Sequence, residues 1–515
     1  MGSLNDASSS AKGAADFLRS DPLPCIVDNA PFKTSKTYPV YRIDVPASQR
    51  EVLHNVACCS PDDARKACDA AAAALPAWKA TSPQTRRDIL LKARDLIQQR
   101  VPEYAGMTMQ ETCLSRGMAG FELAVLAPGH LGECASSIAA ALKAEILPSS
   151  GDGSTKIIKR EPYGVVVGIA PWNAPFVLAL RSIMYAIAAG NTAILKTSEF
   201  APRVHLSVAQ TLIDAGLPKG VLNVVHVDPQ DAAEVTEALI AHPAVRKINF
   251  TGSTRVGKII AATAAKHLKP VVLELGGKAP VVVLEDADLE LAANGILFGG
   301  YLNSNQICMA VNNIVVHKSI AAKLQETTKA MFEQNRATFT AKHAQGMEDP
   351  HALRSLFSHA SGERLKGLYD DAVSQGAEVV VGQAGFEGAL VQPIILGGVK
   401  QNMKIYTEET FGPVLSMITF ESIDEAVEIA NSSAFGLAAS VYTKNQMRGL
   451  EIADRIEAGQ VHINAQPVHD DPSMPHGGWK HSGYGRFNGP EGIKEFTQTK
   501  GITLQEGHPT PFTFV

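Results

Sequence analysis

The chain has 515 residues, 45% of them hydrophobic and 19% charged, and a formal net charge of −5. That length implies two or three packed units of roughly 100–200 residues each, and the composition excludes a disordered chain. A small negative balance with no basic tract speaks against nucleic-acid binding. No apolar run is long enough to span a bilayer, since Val165 to Ala170 is only strand-sized. Met1 to Ala15 lacks the apolar core of a signal peptide. Gly2 is followed at position 6 by Asp6, where a myristoylation motif needs Ser or Thr. The seven cysteines are odd in number and show no metal-ligand spacing. They predict a reducing compartment, the cytoplasm, and no metal site.

In chain order, residues 1–20 are rich in Ser, Ala and Gly and read as a disordered tail. Residues 61–118 read as helical: Ala64 to Trp78 is alanine-rich, and Thr85 to Arg100 repeats Ile and Leu at helical spacing. Lys156 to Arg160 is extended and charged, a candidate edge or bridging strand. From there strands and helices alternate. Strands are expected at Val165–Ala170, Thr192–Leu195, Val221–Val227, Ile248–Phe250 and Val271–Leu273. Helices are expected at Phe176–Ala189, at Ala201–Ala215 and from Thr254. Gly190-Asn191 and Gly216-Leu217-Pro218 stand where helices should stop. A second series runs from Pro280–Val283 through Ala310-Val311, Glu378–Val381, Leu415–Phe420 and Ala438–Tyr442 to Val461–Asn464. Such alternation predicts α/β units built on parallel sheets covered on both faces.

Three clusters carry chemistry. Glu274-Leu275-Gly276-Gly277-Lys278 ends a strand, and Asn305-Gln306-Ile307-Cys308 lies downstream. An aldehyde carbon can give up hydride only after a tetrahedral adduct forms, and a cysteine thiolate makes one. A glutamate in reach can then activate water against the thioester. Alone, such a cysteine also reads as a small buried hydrophobe. Asn173, in Pro171-Trp172-Asn173, falls beyond the carboxyl end of a strand, where α/β sheets bind ligands. It can donate to an oxyanion or simply form a turn. Phe250 to Gly257 opens a helix whose free N–H groups suit a pyrophosphate, although Gly252 and Ser253 also fit plain capping.

In order and spacing, these segments resemble the aldehyde dehydrogenase superfamily from about Ile26 to Phe496. The resemblance implies an α/β fold with a Rossmann-type dinucleotide-binding domain (21–140 and 162–275), an α/β catalytic domain (276–485) and a small bridging sheet used for oligomerisation (141–161 and 486–515). It implies Cys308 as nucleophile, Glu274 as general base and Asn173 as oxyanion donor beside the Cys308 N–H. For the cofactor it implies Lys196 and Glu199 at the ribose, Gly252 and Ser253 near the pyrophosphate, Glu409 and Phe411 at the nicotinamide ribose, and Ile169 and Trp172 with them. It implies a homodimer or homotetramer. Glu199 favours NAD, with NADP as the alternative, because its charge repels a 2′-phosphate.

Val461-His462-Ile463-Asn464, Asp470-Asp471, Pro475-His476-Gly477-Gly478 and Ser482 to Phe487 look like the benzaldehyde, salicylaldehyde and vanillin dehydrogenase group, as does Cys308-Met309. Three residues depart from the family pattern. Asn305 replaces a glycine, which a left-handed backbone would tolerate. His476 replaces a rim phenylalanine. Asp228-Pro229 stands where glycine is frequent near the adenine. Substrate-binding residues expected from the resemblance are Arg181, Val177 and His476. Arg181 is the only charge on its apolar helix, so it needs a partner from substrate or protein. An aromatic aldehyde with a hydroxyl or carboxyl group is the expected substrate, oxidised to the acid. A cysteine esterase and a non-catalytic cofactor-binding scaffold are the alternatives, and a CoA-acylating enzyme is disfavoured by Glu274.

Overall fold

The computed structural model describes residues 17–42, 51–148, 154–342, 352–505 and 507. The strands Val165–Ile169, Thr192–Lys196 and Leu222–Val225 are buried throughout. Unbroken apolar runs of this kind need cover on both faces. Val165, Val167 and Ile169 pack with residues of the helices Pro61–Lys79, Ala232–Ala241 and Thr254–Lys266. Val166 points the other way, into the cluster formed with the helices Pro175–Ala188 and Pro202–Asp214.

These strands belong to an eight-stranded sheet whose central five are parallel, in the order Leu222–Val225, Thr192–Lys196, Val165–Ile169, Val245–Thr251, Val271–Glu274. The chain moves outward from Val165–Ile169 in one direction and then crosses to its other side. This switch point opens a crevice beyond Ile169 and Thr251, where dinucleotides bind in such sheets. A seven-stranded sheet, parallel except for its edge strand Glu378–Gly382, forms the second unit. A three-stranded antiparallel sheet joins Glu145–Leu147, Thr155–Pro162 and Thr497–Leu504. Among the described residues, no helix is long and apolar enough to cross a membrane.

The structure differs from the sequence expectations in three places. Residues 1–16 of the expected tail lie outside the described residues, but Phe17 and Leu18 are buried in the core and do not belong to a tail. Helical structure continues past 118, through Arg116–Phe121, a π-helical turn at Glu122–Leu126 and the helix Ala127–Ala141. Pro128, Gly129 and Gly132 mask this helix in the sequence, yet proline in a first turn removes no helical bond. Finally, Gly483–Tyr484, expected within the catalytic domain, pairs antiparallel with Val271–Glu274 and extends the nucleotide-side sheet.

Candidate active site

Cys308 sits on a loop between the helix Leu289–Tyr301 and the strand Val311–His317. Asn303, Ser304 and Asn305 adopt left-handed φ values of 51°, 53° and 65°. Asn305 therefore stands where glycine is the easiest residue and asparagine the next. Its Nδ2 donates to Gly300 O at 2.7 Å and Val311 O at 2.9 Å, tying both ends of the loop together. The Gln306 side chain accepts from Phe357 N at 2.8 Å. The Cys308 carbonyl packs so closely on Gly277 that a Cβ there would overlap it.

Asn173 lies just before the helix Pro175–Ala188 and is locked to the same loop. Its Nδ2 donates to Gln306 O at 2.9 Å, and its own carbonyl accepts from Asn303 Nδ2 at 2.9 Å. One N–H of the amide is used, so the other remains for a ligand. The helix start is held by Glu122 from the π-helical turn. Ala174 offers no side-chain cap, and Glu122 Oε1 accepts from Val177 N at 2.8 Å. Burial pushes the Glu122 carboxyl up to about 7, against the pull of the Val177 and Phe176 N–H groups.

Glu274 ends the strand Val271–Glu274, 1% exposed, with its carboxyl beside the Cys308 thiol and its Oε1 without a hydrogen-bond partner among the described residues. Burial raises its proton affinity, and the Arg181 guanidinium opposes the rise. Burial, reinforced by Glu274, pushes the Cys308 thiol well above its ordinary value. Arg181 is 3% exposed. Its Nη1 bonds Asp470 Oδ2 at 2.9 Å, its Nη2 lies 3.6 Å from Glu274 Oε2, and its Cζ sits 4.8 Å over the Phe487 ring. Cys308 packs, as do Leu302 and Val468, against a small apolar cluster of Ile307, Met309, Ala310, Leu437 and Ala438. Val177 is buried on the Asn173 helix. His476 is buried with Nδ1 3.4 Å from Gln460 Oε1 and is held neutral by burial, its value lowered to about 4.

Ile169 and Lys196 end neighbouring strands, and Glu199 follows, half-buried. Burial lowers the Lys196 ammonium, and Glu199 partly restores it. Ser253 caps the helix Thr254–Lys266 through Val256 N at 3.4 Å. A Cβ on Gly252 would lie 2.7 Å from the Phe250 ring. Glu409 accepts from Gly277 N at 2.8 Å, and a Cβ on Gly276 would meet its Oε2 at 2.6 Å. Burial pushes Glu409 up to about 7. Phe411, with φ 44°, meets the edge of Trp172, which stacks on Phe357 at 3.9 Å. Glycines bringing backbone close, a capped helix start and a strand-end Lys with Glu beside it fit a dinucleotide. Asp228 is used internally: Oδ1 accepts from Gln230 N at 2.9 Å, and Oδ2 pairs with Lys36 at 3.3 Å.

Sequence reasoning missed Glu122, Phe357 and the role of Asp470. For Asp470 a signal existed, because a lone arginine on an apolar helix demands an acid. Among the described residues, no group of three or more His, Cys, Asp or Glu is placed to hold a metal ion. A cavity of about 500 Å³ is lined by Met118, Phe121, Phe298 and Tyr301; it reaches Asn303 and Ser304 without lining Cys308, Glu274 or Asn173.

A half-buried thiol with a carboxyl beside it, an amide donor and a nucleotide crevice together define a class: α/β enzymes that combine a cysteine with a dinucleotide. The chain belongs to the aldehyde dehydrogenase family, whose model matches residues 33–502. It is 44% identical over 458 residues to a vanillin dehydrogenase of Pseudomonas fluorescens, covering 89% of this chain and 93% of the relative. It is 40% identical over 447 residues to a salicylaldehyde dehydrogenase of Pseudomonas putida, covering 86% and 90%. The crystal structure of a salicylaldehyde dehydrogenase from Pseudomonas putida G7 complexed with salicylaldehyde superposes with a TM-score of 0.88 at 37% identity, covering 95% of this chain and 99% of that one. The protein is thus an NAD(P)-dependent aldehyde dehydrogenase that oxidises an aldehyde to the acid, and the esterase alternative is not favoured.

Proposed function

We propose that Cys308 is the nucleophile, Glu274 the general base and Asn173, with the Cys308 N–H, the oxyanion donor for an aromatic aldehyde. The observation that carries this reading is the Asn173–Gln306 bond of 2.9 Å, which fixes an amide with one N–H to spare against the cysteine loop. Cys308 Sγ adds to the carbonyl carbon, its proton passes to Glu274, and the negative oxygen accepts from the spare Asn173 N–H. A nicotinamide dinucleotide held by the residues named below would supply the acceptor for the hydride that leaves the carbon attached to Cys308. Glu274 gives up its proton before the second half-reaction, so that it can take one from the water that attacks the thioester; Cys308 leaves and the acid is released.

Ile169, Trp172, Lys196, Glu199, Gly252, Ser253, Glu409 and Phe411 would hold the cofactor. Glu199 favours NAD over NADP by accepting from the adenosine ribose hydroxyls. The vanillin and salicylaldehyde dehydrogenase relatives support an aromatic substrate. Val177 offers an apolar wall. Arg181 Nε and His476 Nε2 are buried without a hydrogen-bond partner among the described residues, which supports a hydroxyl or carboxyl on the ring. Arg181 already has Asp470, so His476 carries more of this selectivity. The three-stranded sheet supports a homodimer or homotetramer: Ile146 and Leu504 stand exposed on it. A panel of benzaldehyde, hydroxy- and carboxybenzaldehydes and acetaldehyde, each with NAD+ and NADP+, tests the proposal at the reduced-cofactor absorbance. Highest kcat/KM for a substituted benzaldehyde with NAD+ is expected; faster acetaldehyde oxidation or an NADP+ preference would contradict it.

A further inference from the structure

Arg181 and Asp470 take no part in the bond changes above, yet they are the nearest charged pair to the base. Arginine cannot lose its proton, so Arg181 is a fixed buried charge. Its two Nη atoms face two carboxylates, Asp470 at 2.9 Å and Glu274 at 3.6 Å. Asp470 is itself anchored: Asn488 Nδ2 donates to its Oδ1 at 2.7 Å, and Asn488 Oδ1 accepts from Tyr185 at 3.0 Å. His130 Nε2 stands 3.5 Å from Asp470 Oδ2. The other titratable groups around this pair are the Cys308 thiol facing Glu274 and Arg181, Glu409 facing Glu274, Tyr185 facing Arg181 and Asp470, and His476 and Asp471 facing Asp470.

We infer that the Arg181–Asp470 pair positions Glu274 and sets how readily it takes up a proton, an inference that rests on Glu274 being the base. Arg181 alone would hold Glu274 permanently ionised in this buried place, a weak acceptor of protons. Asp470 cancels part of that charge. With Arg181 removed, burial and the Asp470 charge would keep Glu274 protonated and useless as a base. The two residues therefore act on the same group with opposite signs.

The test is the pH dependence of acyl release with NAD+ and benzaldehyde, a substrate without a ring substituent. Arg181→Leu should move the acidic limb up by at least about one pH unit, which is about tenfold in rate below it. Asp470→Asn, which keeps the shape and the acceptor oxygen, should move it down. Arg181→Lys, which keeps the charge, should leave the limb near its wild-type position. Should Arg181→Leu fail to fold, with Asp470 left buried and unpaired, the downward shift in Asp470→Asn decides alone. Shifts in the same direction, an unmoved limb in Asp470→Asn, or a limb displaced as far in Arg181→Lys as in Arg181→Leu would overturn the inference. Glu274→Gln separates the two claims: if that variant retains the wild-type limb, it is the assignment of Glu274 as base that fails.

Discussion

At the scale of single residues, the proposed reaction rests on two side chains that both serve in each half. On the proposed reading Cys308 carries the acyl group, and Glu274 is needed twice, first for the thiol proton and then for water. The second use is the more demanding, because water is the weaker acid. Glu274→Gln should therefore keep a pre-steady-state burst of reduced cofactor and then turn over about a hundredfold more slowly or worse. Stopped-flow absorbance checks this. Loss of burst and turnover together would show that Glu274 acts mainly on the thiol. Asn305, at φ 65°, supplies the left-handed turn and adds two bonds a glycine could not make.

At the scale of elements, the helix Pro175–Ala188 carries Asn173 at its threshold and Arg181 two turns in. Its cap comes from a residue 55 positions away, Glu122. Because burial raises Glu122 from 4.5 to about 7, the folded protein binds that proton more tightly than the unfolded chain. Its contribution to stability is thus full below the ordinary carboxylate range and is lost as pH rises from there through about 7. Glu122→Gln, which keeps an acceptor for Val177 N, removes this slope, so its thermal stability relative to wild type should rise as pH climbs from the ordinary carboxylate range to about 7 and level off above it, with activity largely kept. Glu122→Ala should lose about 1–2 kcal/mol and lower kcat by displacing Asn173. Calorimetry across pH checks the first point; a constant difference between wild type and Glu122→Gln would contradict it.

Much of this element scale was legible in the sequence. The strands Val165–Ile169 and Thr192–Lys196 announce themselves by β-branched apolar runs, and Glu274 and Cys308 by their motifs. The Glu122 cap was not legible, because a π-helical turn has no clear sequence pattern. Nor was the Arg181–Asp470 pair, which joins residues 289 apart. The arginine's need for an acid could be read locally; the acid's address depends on how two sheets come together.

At the scale of the whole molecule, the end of the strand Val271–Glu274 in one sheet and the loop leading into Val311–His317 of the other bring Glu274 beside Cys308, and a third sheet stands apart from the chemistry. Thr497–Leu504 pairs along eight residues with Thr155–Pro162, leaving Ile146 72% and Leu504 56% exposed. We propose this sheet as a contact between subunits. Truncation after Phe496 should then lower the oligomeric state in light scattering while the folded core retains cofactor binding; an unchanged mass would refute the assignment.

The most direct measurement of the central claim is the covalent one. Wild-type enzyme mixed with NAD+ and a benzaldehyde, then quenched in acid within the first turnover, should carry one acyl group per chain by intact mass, located on the peptide containing Cys308. Cys308→Ala should fold, bind NAD+ and carry none, with turnover reduced at least about a thousandfold. Reduced cofactor formed at a near-normal rate by Cys308→Ala, or the acyl group found on another of the seven cysteines, would contradict the account.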